Sequence, residues 1–437
     1  MSSTVAPTRK RGQVFSWALW DWGTSAFSVI ITTFVFPIFI VQSLFAADKA
    51  SEAGLDSGFS WAFVAAGVVV ALVAPVLGQR ADRSRKTKTW LGVNTFIVGL
   101  ACILMVFLVP NSGFFVIGLV LYAIANIFYE FAFVNYNTVL VQISTPKNIG
   151  RVSGFGWGMG YLGGIVALLV VLVGFVGLGE GTGVFGVTAD GQLNVRMAFL
   201  FTGLWVILFT IPVLVGTPKV PALDVGKPLG FFASYGKLFR DIGQLWRNER
   251  TTFSFLIASA IFRDGLAAVF TLGAVIAASV FGFETKDIMM FGIAANLVAG
   301  VGVFLGGVIE DKIGPKRLII ASLIGLIIGG LYVFVFRDMG VITFWIGGLI
   351  LSFFVGPTQS ASRTFLGRLT TPGREGELFG LYATTGRGLS WLTGLLFAIT
   401  IAIAGDPAWG ILAIVVVLAV GLVLTIPLKP AFAKQNR

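Results

Sequence analysis

The sequence predicts an all-α integral membrane protein whose twelve transmembrane helices form two six-helix bundles related by pseudo-symmetry. Three observations predict this. Apolar residues fill 56% of the 437 positions and charged residues only 12%, about half the charge of a soluble domain. Twelve apolar runs each reach the roughly 20 residues that a helix needs to cross a ~30 Å hydrocarbon core. A basic loop occurs twice. Gly78-Gln-Arg-Ala-Asp82-Arg83-Ser-Arg85-Lys86-Thr-Lys88 shares its spacing of Gly, three residues, Asp and a cation with Gly307-Val-Ile-Glu-Asp311-Lys312-Ile-Gly314-Pro-Lys316-Arg317, 229 positions further on.

The runs lie at about 15–45, 59–79, 89–109, 113–142, 152–177, 196–216, 251–281, 288–309, 317–336, 340–368, 376–404 and 408–428, and we number them spans 1 to 12. The first follows the polar, basic lead Thr8-Arg9-Lys10-Arg11; it is too long for a signal peptide and lacks a small-residue cleavage site, so it reads as a retained first helix. Loops on the N-terminal side hold Arg80, Arg83, Arg85, Lys86, Lys88, Lys147, Arg151, six cations between Lys219 and Arg250, Lys312, Lys316, Arg317, Arg368, Arg374 and Lys429. The opposite loops hold only Lys49, Arg196, Lys286 and Arg337. This imbalance predicts both termini in the cytoplasm of a cell (inner) membrane protein. It also explains the net charge of +11 as a topology signal, so nucleic acid is not an expected partner.

The expected domains are an N-terminal bundle over 1–216, a linker over 217–250 and a C-terminal bundle over 251–437. The linker opens with Pro218 and Pro221 and then places Phe231, Phe232, Tyr235, Leu238, Phe239, Ile242, Leu245 and Trp246 at helical spacing, with Lys237, Arg240, Asp241 and Arg247 opposite. This pattern predicts an amphipathic helix on the cytoplasmic leaflet, read as a hinge between the halves, with a regulatory switch as the alternative.

The duplication extends beyond the loops. Thr145-Pro146 followed by Gly150, Gly154 and Gly160 matches Thr371-Pro372 followed by Gly376, Gly380 and Gly386 at a constant offset of 226. Spans 4 and 5 therefore correspond to spans 10 and 11. Asp21-Trp22-Gly23 aligns with Arg263-Asp264-Gly265 at an offset of 242, relating spans 1 and 7.

These residues carry a resemblance. The repeated loop resembles the signature of the major facilitator superfamily, G-x-x-x-D-R-x-G-R-K between helices 2 and 3, echoed between helices 8 and 9; the first copy lacks the second glycine and is one residue shorter. Trp17-Ala-Leu-Trp-Asp21-Trp-Gly-Thr-Ser-Ala-Phe27, Gly150-Arg-Val-Ser-Gly-Phe-Gly-Trp157 with Gly160-Tyr-Leu-Gly-Gly164, Arg263-Asp264-Gly265, and Gln359-Ser-Ala-Ser-Arg363 with Gly376-Glu-Leu-Phe-Gly-Leu-Tyr382 resemble the autophagy-related vacuolar effluxer branch of that superfamily. The resemblance implies parallel six-helix repeats and a cavity lined by spans 1, 4, 7 and 10. It also implies a cytoplasmic gate at Gly78, Asp82, Arg83, Arg85, Gly307, Asp311, Lys312 and Lys316, with Asp82 and Asp311 against the N-termini of spans 11 and 5. Spans 5 and 8 are expected to meet along their glycines as rocking surfaces.

Candidate chemistry rests on charges inside the spans, which cost several kcal/mol on insertion scales and so face a cavity or a partner. They are Asp21, Glu130, Arg263, Asp264, Arg363 and Arg387. Structural ion pairing between helices is the competing reading for each. Two carboxylates in the N-terminal half against three arginines in the C-terminal half suit a zwitterionic solute whose carboxylate an arginine fork holds. The expected solute contacts are Asp21, Trp17, Trp20, Asn126, Tyr129, Arg263, Gln359, Arg363 and Arg387, although aromatics on membrane helices also serve as packing and interface anchors. The chain has no histidine, so a proton can be carried only by Glu130, Asp21 or Asp264. Glu130, near the midplane, is the expected carrier; Asp21 is expected to hold the solute's amine, and nearby arginines to keep Asp264 ionised.

The lone Cys102 permits no intrachain disulfide and no cysteine metal site. We find no Walker loop, dinucleotide fingerprint or nucleophile elbow, so neither an enzyme nor a cofactor is expected. The expected function is a monomeric secondary transporter of a small zwitterionic solute, an amino acid, coupled to protons, with export favoured. The alternatives are a transporter of lipid or lysophospholipid, membrane lipid being a partner in any case, and a sensor or partner subunit that transports nothing.

Overall fold

The computed structural model describes residues 11–42, 68–70, 72–74, 76–77, 86–177, 183–218, 231–371 and 373–429. Every element among them is helical. Span 1 is a helix over Arg11–Ala26 that continues through a π segment, Phe27–Phe34, into Val35–Gln42. Of span 2 only 68–70, 72–74 and 76–77 are described, all helical, and the first signature loop from Gly78 to Arg85 lies outside the described residues. Ten further helices among the described residues are long and apolar enough to cross a bilayer. They are Thr87–Phe107, Phe115–Ile143, Ile149–Val176, Asp190–Gly216, Arg250–Phe281, Met290–Ile313, Pro315–Val335, Val341–Leu369, Glu375–Ala404 and Pro407–Thr425, which are spans 3 to 12.

Local chemistry sets several boundaries. Gly314 alone separates spans 8 and 9. Its φ of 85° and its N–H bond of 2.7 Å to the Glu310 carbonyl close one helix, a left-handed geometry that glycine adopts without cost. Pro315 then opens the next helix at a position where its missing N–H costs nothing. Span 11 is broken. Its first helix ends at Leu389 and its second starts at Leu392, with Ser390 and Trp391 between them.

Within the N-terminal half, span 1 packs on spans 5 and 6, and span 3 on spans 4 and 6; within the C-terminal half, span 7 packs on spans 11 and 12, span 10 on spans 8 and 9, and span 9 on span 12. Phe36, Phe39, Tyr122 and Phe199 fill one core, and Phe255, Phe262, Leu323 and Phe365 the other. The halves meet through span 5 against spans 8 and 10, and span 4 against spans 10 and 11. At the contact of spans 5 and 8, a Cβ on Gly154 would lie 2.7 Å from the Val303 carbonyl, and one on Gly307 would lie 2.8 Å from the Gly150 carbonyl. The backbones approach too closely for any side chain. Gly158 faces Phe304 of span 8 and Gly300 faces Tyr161 of span 5 as expected, whereas Gly160, Gly163 and Gly164 admit span 1 and Gly302 and Gly306 admit span 10.

The linker forms the helix Phe231–Asn248. It docks on the C-terminal half, with Leu245 buried in that core and Lys237 3.7 Å from Glu377 at the start of span 11.

Candidate solute site and gate

The halves are shut together on the side of the membrane that carries the loop at 307–317, here termed the loop side. Asp311 lies in the last turn of span 8 and receives the N–H of Gly150 at 2.9 Å, the N–H of Arg151 at 3.3 Å and the Arg151 Nε at 2.8 Å. Gly150 and Arg151 lie in the first turn of span 5, where unpaired N–H groups and the helix dipole favour a carboxylate. Arg368 of span 10 adds a contact of 3.9 Å.

Glu310, expected in the loop after span 8, lies fully buried beside this latch. Its Oε1 accepts from Thr364 at 2.5 Å and Arg368 at 3.3 Å, while Oε2 has no hydrogen-bond partner among the described residues. Span 8 was expected to stop at residue 309 and instead runs to Ile313. Glu310 is thereby a carboxylate inside the span, and that extension is the signal that would have found it.

Arg363 sits deeper and is 1% exposed. Its Nε donates to Ser153 Oγ and its NH2 to the Ser153 carbonyl, both at 2.7 Å; its NH1 lies 3.4 Å from Asn137 Oδ1 and 3.7 Å from Asp21 Oδ2. The guanidinium also lies over Trp17, Tyr136 and Trp157 at 5.2 to 5.7 Å. A buried charge survives only with such partners. Arg363 therefore belongs to the shut side of the bundle, where it ties span 10 to spans 1, 4 and 5.

Three expected solute contacts are covered in the same way. Trp17 and Trp20 are fully buried and sandwich Tyr136 at centroid distances of 4.3 Å. Their indole N–H groups are already committed, Trp17 to the Tyr136 carbonyl at 3.1 Å and Trp20 to Thr95 Oγ1 at 3.0 Å. Asp21 accepts the Tyr136 hydroxyl at 2.7 Å and is 6% exposed. These three residues form one packed layer, and none faces open space in this state. Asn126 is also buried and donates to the Tyr122 carbonyl one turn earlier.

Partly open charge remains on spans 4, 7 and 11. Glu130 Oε1 accepts a hydrogen bond from Arg387 NH2, joining the two halves, and both side chains are just under one-fifth exposed. Arg263 donates to the Tyr382 carbonyl at 2.9 Å and lies 3.6 Å above the Tyr382 ring, joining spans 7 and 11. A Cβ on Gly386 would fall 2.8 Å from its guanidinium, so the glycine leaves the space the arginine occupies. Tyr129 and Gln359 are half-buried. The structure thus pairs Glu130 with Arg387 across the halves, packs Arg263 on Tyr382, and sets Asp21 against Tyr136 and Arg363.

Asp264 departs from expectation. Its Oδ2 accepts both the backbone N–H and the hydroxyl of Thr393 at 2.6 Å each, and no arginine pairs with it among the described residues. It caps the second helix of span 11 just after the break, as a short acidic side chain does for otherwise unpaired N–H groups.

Of the expected gate residues, Gly78, Asp82, Arg83 and Arg85 lie outside the described residues. Gly307 faces the Gly150 carbonyl, as above, and Lys312 is exposed. Lys316 does not reach the other half; its Nζ donates to the carbonyls of Ile426 and Leu428 at 2.7 Å, tying span 9 to the end of span 12.

The family model described as "Vacuole effluxer Atg22 like" matches residues 58–148 and 142–436. The uncharacterized MFS-type transporter YxiO of Bacillus subtilis (strain 168) is 25% identical over 422 residues, 94% of this chain and 93% of its own. Autophagy-related protein 22-1 of Neosartorya fischeri is 23% identical over 303 residues, 64% of this chain and 48% of the fungal protein, so the chain spans about half the length of that relative. Among solved structures, the proton:xylose symporter XylE bound to 6-bromo-6-deoxy-D-glucose superposes with a TM-score of 0.75 at 12% identity over 95% of both chains. The human organic anion transporter MFSD10 gives 0.73 at 15% identity over 97% of this chain and 100% of that one. FucP in its outward conformation gives 0.68 at 14% identity over 96% and 100%. At these identities the structures establish the fold, while the family match reaches across both halves. The protein is a multi-pass membrane transporter and no enzyme, and the chain belongs to the vacuole effluxer Atg22-like family of the major facilitator superfamily.

Proposed function

We propose that the protein moves a small zwitterionic solute, an amino acid, by alternating access, and that the solute replaces the two charges of the Glu130–Arg387 pair with its own. The observation that carries this reading is that pair: one carboxylate and one guanidinium, from opposite halves and partly open. A solute carboxylate takes Arg387 in a forked pair, and its ammonium takes Glu130. Breaking the pair without replacement leaves uncompensated charge in a low-dielectric site, which costs about 3–5 kcal/mol. The solute supplies both replacements at once, and a solute with only one charge supplies half of them.

The same geometry bears on coupling. Glu130 is held by Arg387, by the solute's ammonium or by a proton, and by only one of them at a time. Mutually exclusive occupation of one carboxylate by solute and proton is the logic of antiport, so the reading favours export driven by protons. Asp21 stays beneath Tyr136 and Arg363 until spans 4, 5 and 10 part, and then becomes a second partner for the amine. The loop-side latch is taken as cytoplasmic, with both termini on that side of the cell (inner) membrane, and the working unit as a monomer.

The test is counterflow in proteoliposomes with labelled amino acids, with and without an imposed pH difference. Exchange that a pH gradient converts into accumulation is the expected result. Protein that exchanges no amino acid but moves a lysophospholipid overturns the zwitterion reading, and protein that moves nothing assigns the chain to sensing.

A further inference from the structure

A groove of about 600 Å³ opens at the loop side between the end of the linker helix, the first turns of span 7 and the end of span 12. It lies away from the solute site. Its lining includes Trp246, Arg250, Phe253, Ile257, Leu424 and Lys429. Among the described residues the charged members are both cations, no carboxylate lines the groove, and neither Arg250 nor Lys429 forms an ion pair.

The framework around it is fixed. Thr251 Oγ1 donates to the Lys429 carbonyl at 3.3 Å, joining spans 7 and 12, and Lys316 holds the carbonyls of Ile426 and Leu428 from behind. Trp246 is exposed and packs edge-on against Phe253 with centroids 5.0 Å apart. One wall is apolar: Ile257 and Leu424 are exposed side chains on the membrane-crossing helices of spans 7 and 12. A pocket with a cationic rim, an exposed indole and an apolar wall at the edge of the hydrocarbon layer matches one ligand in each of its parts. The rim suits a phosphate, the indole sits at headgroup depth, and the wall suits an acyl chain.

We propose that this groove binds an anionic glycerophospholipid, with its phosphate between Arg250 and Lys429 and an acyl chain along Ile257 and Leu424. A soluble anion uses only the rim, whereas a lipid uses the rim and the wall. Bound there, the lipid contacts the linker helix, span 7 and span 12 together and holds the linker against the C-terminal half.

The experiment uses the full chain in detergent, titrated with phosphatidylglycerol or phosphatidylcholine of identical chains and read by native mass spectrometry. Wild type should retain one phosphatidylglycerol in preference to phosphatidylcholine. Each cation near a membrane surface is worth about fivefold in affinity, so Arg250→Ala with Lys429→Ala should weaken retention about thirtyfold. Arg240→Ala with Arg337→Ala, which removes the same net charge elsewhere, should leave it intact. Both groove cations are exposed, so folding is not at stake, and Lys429→Glu should weaken retention further than Lys429→Ala. Equal retention by the groove double variant and wild type overturns the proposal. So does displacement of the lipid by millimolar inorganic phosphate, which would make the groove a site for free anions.

Discussion

Asn137 and Arg363 occupy equivalent positions in the two repeats, and they touch: Arg363 NH1 lies 3.4 Å from Asn137 Oδ1, across the interface between the halves. Residues related by a two-fold axis meet only on that axis. At this position the duplicated ancestor has diverged into an amide on one side and a guanidinium on the other, so the symmetric contact has become a directional one. The arginine, having no partner of its own kind to repel it, reaches past Asn137 to Ser153 and Asp21. Asp21 and Ser153 belong to the N-terminal half, so beneath the Asp311 latch one C-terminal side chain is inserted among three N-terminal helices.

Removing Arg363 should therefore open the loop side. Arg363→Ala strands Asp21 and the Ser153 carbonyl, a cost of about 3–5 kcal/mol to the shut state. Cys102 is the sole cysteine and is buried, so Cys102→Ala gives a background in which Ser360→Cys, beside Ser153, reports on the seam. Faster labelling of that cysteine by an impermeant maleimide is expected in Arg363→Ala, and partial return to the slow rate on adding Asp21→Asn. An unchanged labelling rate would mean that the arginine does not hold the seam.

Asp311→Asn tests the latch more gently. The amide still accepts one hydrogen bond from the first turn of span 5 but loses the charge that the helix dipole and Arg151 favour, an effect of about 0.3–1 kcal/mol for the dipole alone. Labelling at Ser360→Cys should rise by a few-fold, well short of Arg363→Ala. Adding Arg151→Ala to Asp311→Asn should change little further, since the pair is already broken; additive effects of the two would place their actions apart.

What the sequence made legible was whatever has a period. The apolar runs, the alternation of basic loops and the 226-residue offset locate the helices and predict that Asn137 and Arg363 are mates. The close contact of spans 5 and 8 follows from Gly154 and Gly307, because small residues are what allow backbones to approach. Burial of single polar groups has no such period. Trp17 and Trp20 read as aromatics near a cavity, yet their N–H groups find Tyr136 and Thr95 on other spans. Glu310 was hidden by a helix end misplaced by four residues, with its partners Thr364 and Arg368 on span 10. Asp264 was assigned to neighbouring arginines because Arg263 precedes it, but consecutive helical residues point in different directions. Lys316 was grouped with the gate by its motif, whereas its reach decides its role, and its ammonium lands on span 12.

Asp264 should behave as a structural cap. Asp264→Ala removes two hydrogen bonds to Thr393 at the break in span 11 and should lower stability by about 2–3 kcal/mol, read as a drop in the thermal unfolding midpoint of the purified protein. Asp264→Asn retains an acceptor and should keep most of that stability together with pH-driven transport. Loss of pH-driven accumulation in a well-folded Asp264→Asn protein would return this residue to the coupling path. Thr393→Val, which keeps the backbone bond and loses the hydroxyl, should fall between wild type and Asp264→Ala.

The Glu130–Arg387 pair carries the sharpest prediction because the two residues should fail differently. Glu130→Gln keeps a hydrogen-bonding group of the same shape beside Arg387 but cannot bind and release a proton, so solute exchange should persist while an imposed pH difference no longer produces accumulation. Its affinity for the solute should fall by roughly tenfold, about 1.4 kcal/mol, as an ammonium trades a charged acceptor for a neutral one. Arg387→Gln should instead abolish exchange and accumulation together, because the solute's carboxylate loses its fork and Glu130 is left without a cation. Restoring the charge with Arg387→Lys should recover exchange only in part, since an ammonium cannot grip a carboxylate in two places at once. These outcomes are separable in one assay, counterflow measured first without and then with a pH difference. A Glu130→Gln protein that still accumulates solute when the pH difference is imposed would remove Glu130 from coupling and leave Asp21 as the carboxylate to examine.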